Sequence, residues 1–420
     1  MPSEPVENLL PRLESRREYF DYLDRWTVGT VDSLRAHVSP YALVKAFVLE
    51  TSSRAGGRDA VAALQEAGQL AEPVDKDLFA VQSPVESDAW ALVDVQDPRF
   101  PALYTVLDSE VATGRVNDLV HGSSTLDRVW IASAMFRELW QMVVAAYPDH
   151  RFSQMVFEHE SVYERAFEQT AAVDDEDQEP TAEDDEAPLH AERRRARIQI
   201  TERIGKLKRA LPRMRDDYDP LESLVRLRIP APSRGGHDVA FDGRIVNRGD
   251  SLTSFQQTVA AVTAIYRRST ERAELAAWPS GPEAATGEAS HQSLSVGLPL
   301  LIKLNEELPL PTFERWVASF RHKRNRFRLW GNPISMGPGK VHLYAVDNHL
   351  WQPIDLEITR RHLYAQLPLG TCGNTIHRLV TNVQRFVDPK ITAYIGRDRY
   401  ESFISGPTPA PPPGSQARGE

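Results

Sequence analysis

The charge pattern between Asp174 and Arg215 sets the first limit on how this chain can fold. Nine of the thirteen residues from Asp174 to Glu186 are Asp or Glu, and ten Arg or Lys follow between Arg193 and Arg215 against the single acid Glu202. So acidic a run has too few apolar side chains to offset the entropy of ordering it, and residues 171–192 are expected to form an acidic disordered linker. These nine acids account for most of the net charge of −10; without them the chain carries about −1.

That linker is expected to divide 420 residues into two folded parts. Before it, residues 1–170 read as a mainly helical domain. Leu9, Leu10, Leu13, Tyr19, Phe20, Leu23 and Trp26 recur at helical spacing, and Tyr41–Ser52, Ala60–Leu70 and Leu103–Glu110 read as shorter helices. Ser124 with Asp127 resembles a capping box ahead of the apolar stretch Val129–Val144. Only Ala89–Val95 and Arg151–Phe157 read as strands. After the linker, residues 193–217 read as a basic amphipathic helix, with Ile200, Ile204, Leu207 and Leu211 as its apolar stripe.

Residues 218–405 change character and read as an α+β domain. Val225, Leu227 and Ile229 alternate with arginines, and Asp242-Gly243 between two short runs signals a tight hairpin. A helix is expected from Leu252 to about Glu274. Between Lys340 and Pro368 three runs alternate strictly: Val341/Leu343/Ala345, Ile354/Leu356/Ile358 and Leu363/Ala365/Leu367. They predict a three-strand antiparallel meander with those residues inward. The helix Gly373–Phe386 would cover the apolar side, and Ile391–Ile395 would close the sheet. The fold class is thus α+β, with a Pro-rich disordered tail at 406–420.

Composition narrows the class. An apolar share of 41% and a charged share of 26% suit a globular protein. No apolar run approaches the roughly 18 residues that a spanning helix needs, and the N-terminus lacks the basic-then-apolar order of a signal peptide. The lone Cys372 excludes an internal disulfide framework and a multi-cysteine zinc site. A cytoplasmic protein without a membrane partner is expected, and no cofactor or metal is called for.

Three groups of residues are candidates for chemistry. The run Phe313–Trp330 interleaves aromatic and basic residues, and Arg321, Lys323, Arg324, Arg326 and Arg328 are expected to contact phosphates. The outward face of the meander brings Tyr344, His362 and Tyr364 together as a ligand surface. The same face holds Asp355 and Glu357, which with His362 could serve a metal-dependent nuclease or another hydrolase. Cys372, at the start of a helix, is a candidate nucleophile, since backbone N–H groups there would lower its pKa. The expected function is an accessory or regulatory protein that binds nucleic acid or a protein partner, with hydrolase or thiol chemistry as the alternative.

Overall fold

The sequence Lys45-Ala46-Phe47-Val48-Leu49-Glu50-Thr51 is buried along its whole length, which a strand achieves only when both faces of its sheet are covered. It forms β1, the centre of the larger of two antiparallel sheets in this computed structural model, which describes residues 9–35, 42–51, 60–85, 88–160, 163, 195–278, 297–369 and 371–404. The larger sheet adds β2 (Leu70–Pro73), β3 (Leu78–Gln82), β4 (Ala91–Asp94), β5 (Ala102–Thr105), β6 (Leu126–Arg128), β7 (Phe152–Glu160), β8 (Arg195–Arg203), β9 (Leu224–Pro230), β10 (Gly236–Ala240) and β11 (Arg244–Asn247). Their order is β2-β3-β4-β5-β1-β11-β10-β9-β7-β8, with β6 paired to the end of β1.

The smaller sheet holds β12 (Leu300–Lys303), β13 (Leu329–Gly337), β14 (Lys340–Asp347), β15 (Gln352–Thr359), β16 (His362–Gln366), β17 (Thr392–Ile395) and β18 (Asp398–Arg399), in the order β13-β14-β15-β16-β12-β17-β18. The helices are α1 (Arg16–Arg35), α2 (Ala60–Glu66), α3 (Ser109–Gly122), α4 (Ser133–Ala146), α5 (Ile204–Asp217), α6 (Leu252–Ala277), α7 (Leu310–Ser319), α8 (Gly373–Phe386) and α9 (Tyr400–Ile404). One hydrophobic cluster joins the inner faces of both sheets to α4, α6 and α8. A second, built on Phe47, Leu49, Leu64, Val116 and Leu119, fills the space between the outer face of the larger sheet and helices α2 and α3. Among the described residues no helix is long and apolar enough to cross a membrane.

The second half follows its sequence pattern. All nine inward residues named for the meander are buried, in register across β14, β15 and β16. Helix α8 spans Gly373–Phe386 as expected, α6 begins at Leu252 behind the N-cap Ser251, and the Asp242-Gly243 turn joins β10 to β11. Gly243 has φ +78°, and a Cβ there would run into Val129 and the carbonyl of Val48.

The first half requires correction. It mixes strands β1–β7 with helices α1–α4 rather than being mainly helical: Tyr41–Ser52, expected as a helix, contains β1, and Leu103–Glu110, also expected as a helix, runs from the end of β5 into the start of α3. A continuous apolar run without alternation fits a strand covered on both faces as well as a helix, and tertiary cover decides between them. The capping-box reading also fails, because Asp127 lies within β6 and α4 starts only at Ser133. The basic helix begins late as well. Residues 195–203 form β8, with Ile198 and Ile200 packed on the core and Arg197, Gln199, Thr201 and Arg203 exposed; only 204–217 is helical.

The boundary placed at the acid tract is not a boundary between sheets. Strands β7 and β8 flank the tract and pair with each other from Phe152↔Arg203 to Glu160↔Arg195, so the tract joins two neighbouring strands. The acid tract itself and the tail at 406–420 lie outside the described residues.

Candidate functional site

Two polar assemblies stand out, one buried between the sheets and one exposed beside β13. The buried one begins where β6 pairs with β1, which sets Asp127 directly opposite Glu50. Two acids side by side are tolerable only if each is answered, and each has its own arginine. Asp127 accepts from Arg328 at 2.7 Å and from Arg378 of α8 at 2.5 Å, and Arg378 donates onward to Asp347 of β14 at 2.6 Å. Thr375 and the backbone N–H of His349 also donate to Asp347, at 2.6 and 2.8 Å. Arg328 further donates to the carbonyls of Leu126 and Val120 at 3.3 and 2.9 Å, and its backbone is held at φ +51°.

Glu50 is tied to Arg99 at 2.9 Å and to the Tyr266 hydroxyl at 3.1 Å, and Arg99 bridges on to Glu274 at 2.6 Å. Asn374 of α8 donates to the carbonyl of Arg128 at 2.7 Å. Burial alone would raise the Asp127 carboxyl, yet the Arg328 and Arg378 guanidinia hold it well below the usual carboxylate range. Glu50 goes the other way: burial pushes it up against the pull of Arg99.

Glu50, Glu274 and Cys372 offer ligand atoms within 4.8 Å of one another, the set among the described residues that could hold a cation. The Arg99 guanidinium already bridges the two carboxylates, so a cation there would have to replace its charge. Cys372 is buried at the N-cap of α8 with its sulfur 3.7 Å from Glu50. Burial, with Glu50 and Glu274 beside it, pushes the thiol far above its ordinary value, opposite to the lowering expected from the helix start. His377 gives it no base, since its ring bonds Tyr400 at 2.6 Å and Thr270 at 3.2 Å.

The exposed assembly is built on the turn that follows α7. Phe313, Trp316, Phe320 and Phe327 are buried, and this aromatic cluster fixes the path of the chain between them. Arg321, Lys323 and Arg324 consequently project from the turn. Trp330, 46% exposed, lies against it with its indole N–H on the carbonyl of Arg321 at 3.2 Å. On the other side Trp351, 52% exposed, has the Lys323 ammonium 5.2 Å from its ring centre. Asn348 ties the two loops by donating to the carbonyl of Lys323 at 2.8 Å. Leu350 and Trp351 have φ of +105° and +53°, a costly backbone for non-glycine residues that persists only where surrounding structure imposes it.

The expected phosphate contacts therefore separate. Arg321, Lys323 and Arg324 share this surface. Arg326 lays its guanidinium over Phe386, 4.3 Å from the ring centre. Arg328 is a correction: it is buried and its charge is consumed by Asp127.

On the adjoining outer face Tyr344 is exposed opposite Asp355, and Tyr364 stands opposite Glu357. His362 is bound to Thr359 at 3.0 Å. Asp355 lies 3.6 Å from His342, while Glu357 pairs with Lys340 at 2.9 Å and lies 3.7 Å from His362. Trp351 was missed in the sequence because it falls outside any periodic run; its signal was a tryptophan inside the polar turn Asn348-His349-Leu350-Trp351-Gln352.

Residues 9–402, which span both sheets and both assemblies, match the model of the MJECL33-like protein family. The chain belongs to the MJECL33-like family. It is 19% identical over 405 residues to the protein MJECL33 of Methanocaldococcus jannaschii, itself described as uncharacterized, covering 91% of this chain and 94% of that relative. No solved structure matches the chain. Membership in the MJECL33-like family thus extends over the whole described fold, and the name of the relative carries no activity with it.

Proposed function

We propose that this protein is an accessory binding protein that holds single-stranded nucleic acid on the surface formed by Arg321, Lys323, Arg324, Trp330 and Trp351, with Tyr344 at its margin. The observation that carries this reading is the pair of half-exposed tryptophans on either side of a cationic turn. Large indole faces in water are unfavourable unless something covers them, and a base stacked on such a ring is worth about 1–3 kcal/mol. Three neighbouring cations would neutralise the phosphates on each side of the stacked base. The lone, unbridged Cys372 is in keeping with work in the cytoplasm.

A protein partner is the second reading, favoured by Ile334 and Met336, both exposed on the edge strand β13 next to Trp330. The hydrolase alternative draws less support. Asp355 and Glu357 stand on a solvent-facing sheet surface, and Glu357 is held below its ordinary value chiefly by Lys340.

Titrating the protein with oligodeoxythymidine and oligouridine while following tryptophan emission tests the proposal. The expected result is quenching that weakens steeply with salt and is lost in Trp330→Ala/Trp351→Ala. Arg321→Ala/Lys323→Ala/Arg324→Ala should lower the salt slope by about 2. Unchanged affinity in both variants refutes it.

A further inference from the structure

The chain runs into its nine acids, Asp174–Glu186, from a point beside the cationic turn that follows α7. Strand β7 ends at Glu160, and Tyr163, three residues on, is buried against α7. Arg315 donates to the Tyr163 carbonyl, and the Tyr163 hydroxyl is met by the Ser319 side chain and the charge of Arg326. Ser319 stands two residues before Arg321, where the turn begins. The return strand starts at Arg195, which pairs with Glu160, so both tethers of the tract begin at one place.

The turn is exposed and its charge is unanswered. Arg321, Lys323 and Arg324 face solvent, and no ion pair joins any of them to an acid among the described residues. Arg326, also exposed and without an acid, lies by Tyr163 itself. Between Phe313 and Trp330 the single acid in the sequence is Glu314. Asp174 follows Tyr163 by eleven residues, which can span up to about 36 Å, and Glu186 precedes Arg195 by nine. Exposed ion pairs are weak one by one. A tether this short holds the tract near the turn at an effective concentration on the order of millimolar, so several such pairs act together.

We infer that the acid tract 174–186 of this same chain is the resident occupant of the turn formed by Arg321, Lys323 and Arg324. Charge complementarity selects it: nine carboxylates in thirteen residues match cations that the described chain leaves without acids. A second copy would have to bring the same tract from a far lower concentration. The consequence for nucleic acid, though not the docking, rests on the function proposed above: a single strand must displace the tract to reach the turn, and the chain thereby regulates its own binding.

Carbodiimide cross-linking, which joins a carboxylate directly to a lysine amine in contact with it, tests the docking on the full-length protein. Chains with and without nitrogen-15 are mixed, and the linked peptides are read by mass spectrometry. Carboxylates of 174–186 should link to Lys323 within one chain, and the yield should fall several-fold between about 0.1 M and 1 M salt, as the screening length shortens from about 10 to 3 Å. Arg321→Ala/Arg324→Ala, which keeps Lys323, should lower that yield about two-fold or more. Lys206 and Lys208, exposed on α5 beyond β8, are the comparison. The inference is overturned if Lys323 is linked no more often than these two, or if its links join only labelled to unlabelled chains.

A second measurement follows oligodeoxythymidine binding by the parent and by a neutralised chain, with Asp174→Asn and the corresponding exchanges at the other acids through Glu186→Gln. Neutralisation should tighten binding about five-fold or more at about 0.1 M salt, with the gain lost as salt rises. If Lys323 is linked and both chains bind equally, the single strand uses another surface: the site proposed first falls and the docking stands. If neither chain binds, the binding proposal falls and the cross-link alone decides the docking.

Discussion

Replacing Asp127 by Asn isolates the charge that joins the two sheets. Asparagine keeps the size and one carbonyl acceptor but leaves Arg328 and Arg378, both buried, without the carboxylate they share. Breaking a buried pair by removing one partner costs about 3–5 kcal/mol, because the remaining charge is stranded in a poorly solvating interior. Against a total stability of about 5–15 kcal/mol, that is a large fraction. Asp347→Asn supplies the internal comparison. Asp347 answers a single guanidinium, which keeps Asp127, and its other donors are the Thr375 hydroxyl and a backbone N–H. Its replacement should cost about 2–3 kcal/mol. Urea unfolding followed by far-ultraviolet circular dichroism and tryptophan emission reads both values from the shift in midpoint at constant slope. A loss below about 1 kcal/mol for Asp127→Asn, the worth of a surface pair, would refute the reading. So would a larger loss for Asp347→Asn than for Asp127→Asn.

Other perturbations follow from the same structure. Burial pushes His237 and His349 down to about 4 and His377 down to about 3. The unfolded chain therefore takes up these protons first, at its ordinary pKa of about 6.5, and stability should fall as pH drops from about 6.5 to 4, by about 3 kcal/mol per histidine at the lower limit. Urea midpoints measured across that range check this, and a flat profile would contradict it. The lowered Asp127, Asp238 and Asp242 add a loss of the same sign below about pH 4, where the unfolded carboxylates protonate. Cys372 should resist iodoacetamide in the native protein and react only on unfolding; modification at the rate of a free thiol would show that the helix start is open. Gly243→Ala should destabilise by about 1–3 kcal/mol, through its positive φ and the approach of Val129, as a lowered thermal midpoint.

The legible parts of the fold are those where polar and apolar side chains separate by face. Strands β14, β15 and β16 alternate because their outer face meets water, and α8, although buried nearly all round, shows its apolar stripe at Ile376, Leu379, Val380 and Val383 because its other side carries polar residues that meet buried acids. Strand β1 hides for the opposite reason: with cover on both faces it has no alternation to display. In β8 the alternation was present as Ile198 and Ile200 between polar residues, but Ile204 and Leu207 of the adjoining helix extended it into a false helical stripe. The exposed site was half legible. The cations of 321–324 were named, whereas Trp351 reaches them from the β14–β15 turn.

Arg324 and Arg328 show why the buried assembly could not be read in advance. They lie one helical turn apart in sequence and share a charge and a neighbourhood, yet one faces solvent and the other is enclosed. Four acceptors decide the matter: Asp127 and the carbonyls of Leu126, Val120 and Asn348. The first three come from residues more than 200 positions away. They also hold Arg328 in a left-handed backbone that it would not choose alone. No spacing rule reaches across such a separation, since local periodicity reports which side of an element is apolar and not which distant carboxylate will meet it. The same logic makes the exposed cations informative. Arg328 is assigned to Asp127, and Arg326, though exposed, lies apart over the Phe386 ring; the charges facing solvent beside the tryptophans are Arg321, Lys323 and Arg324. They flank both exposed tryptophans, and it is this residue of unspent charge beside uncovered ring surface that gives the binding proposal its physical content.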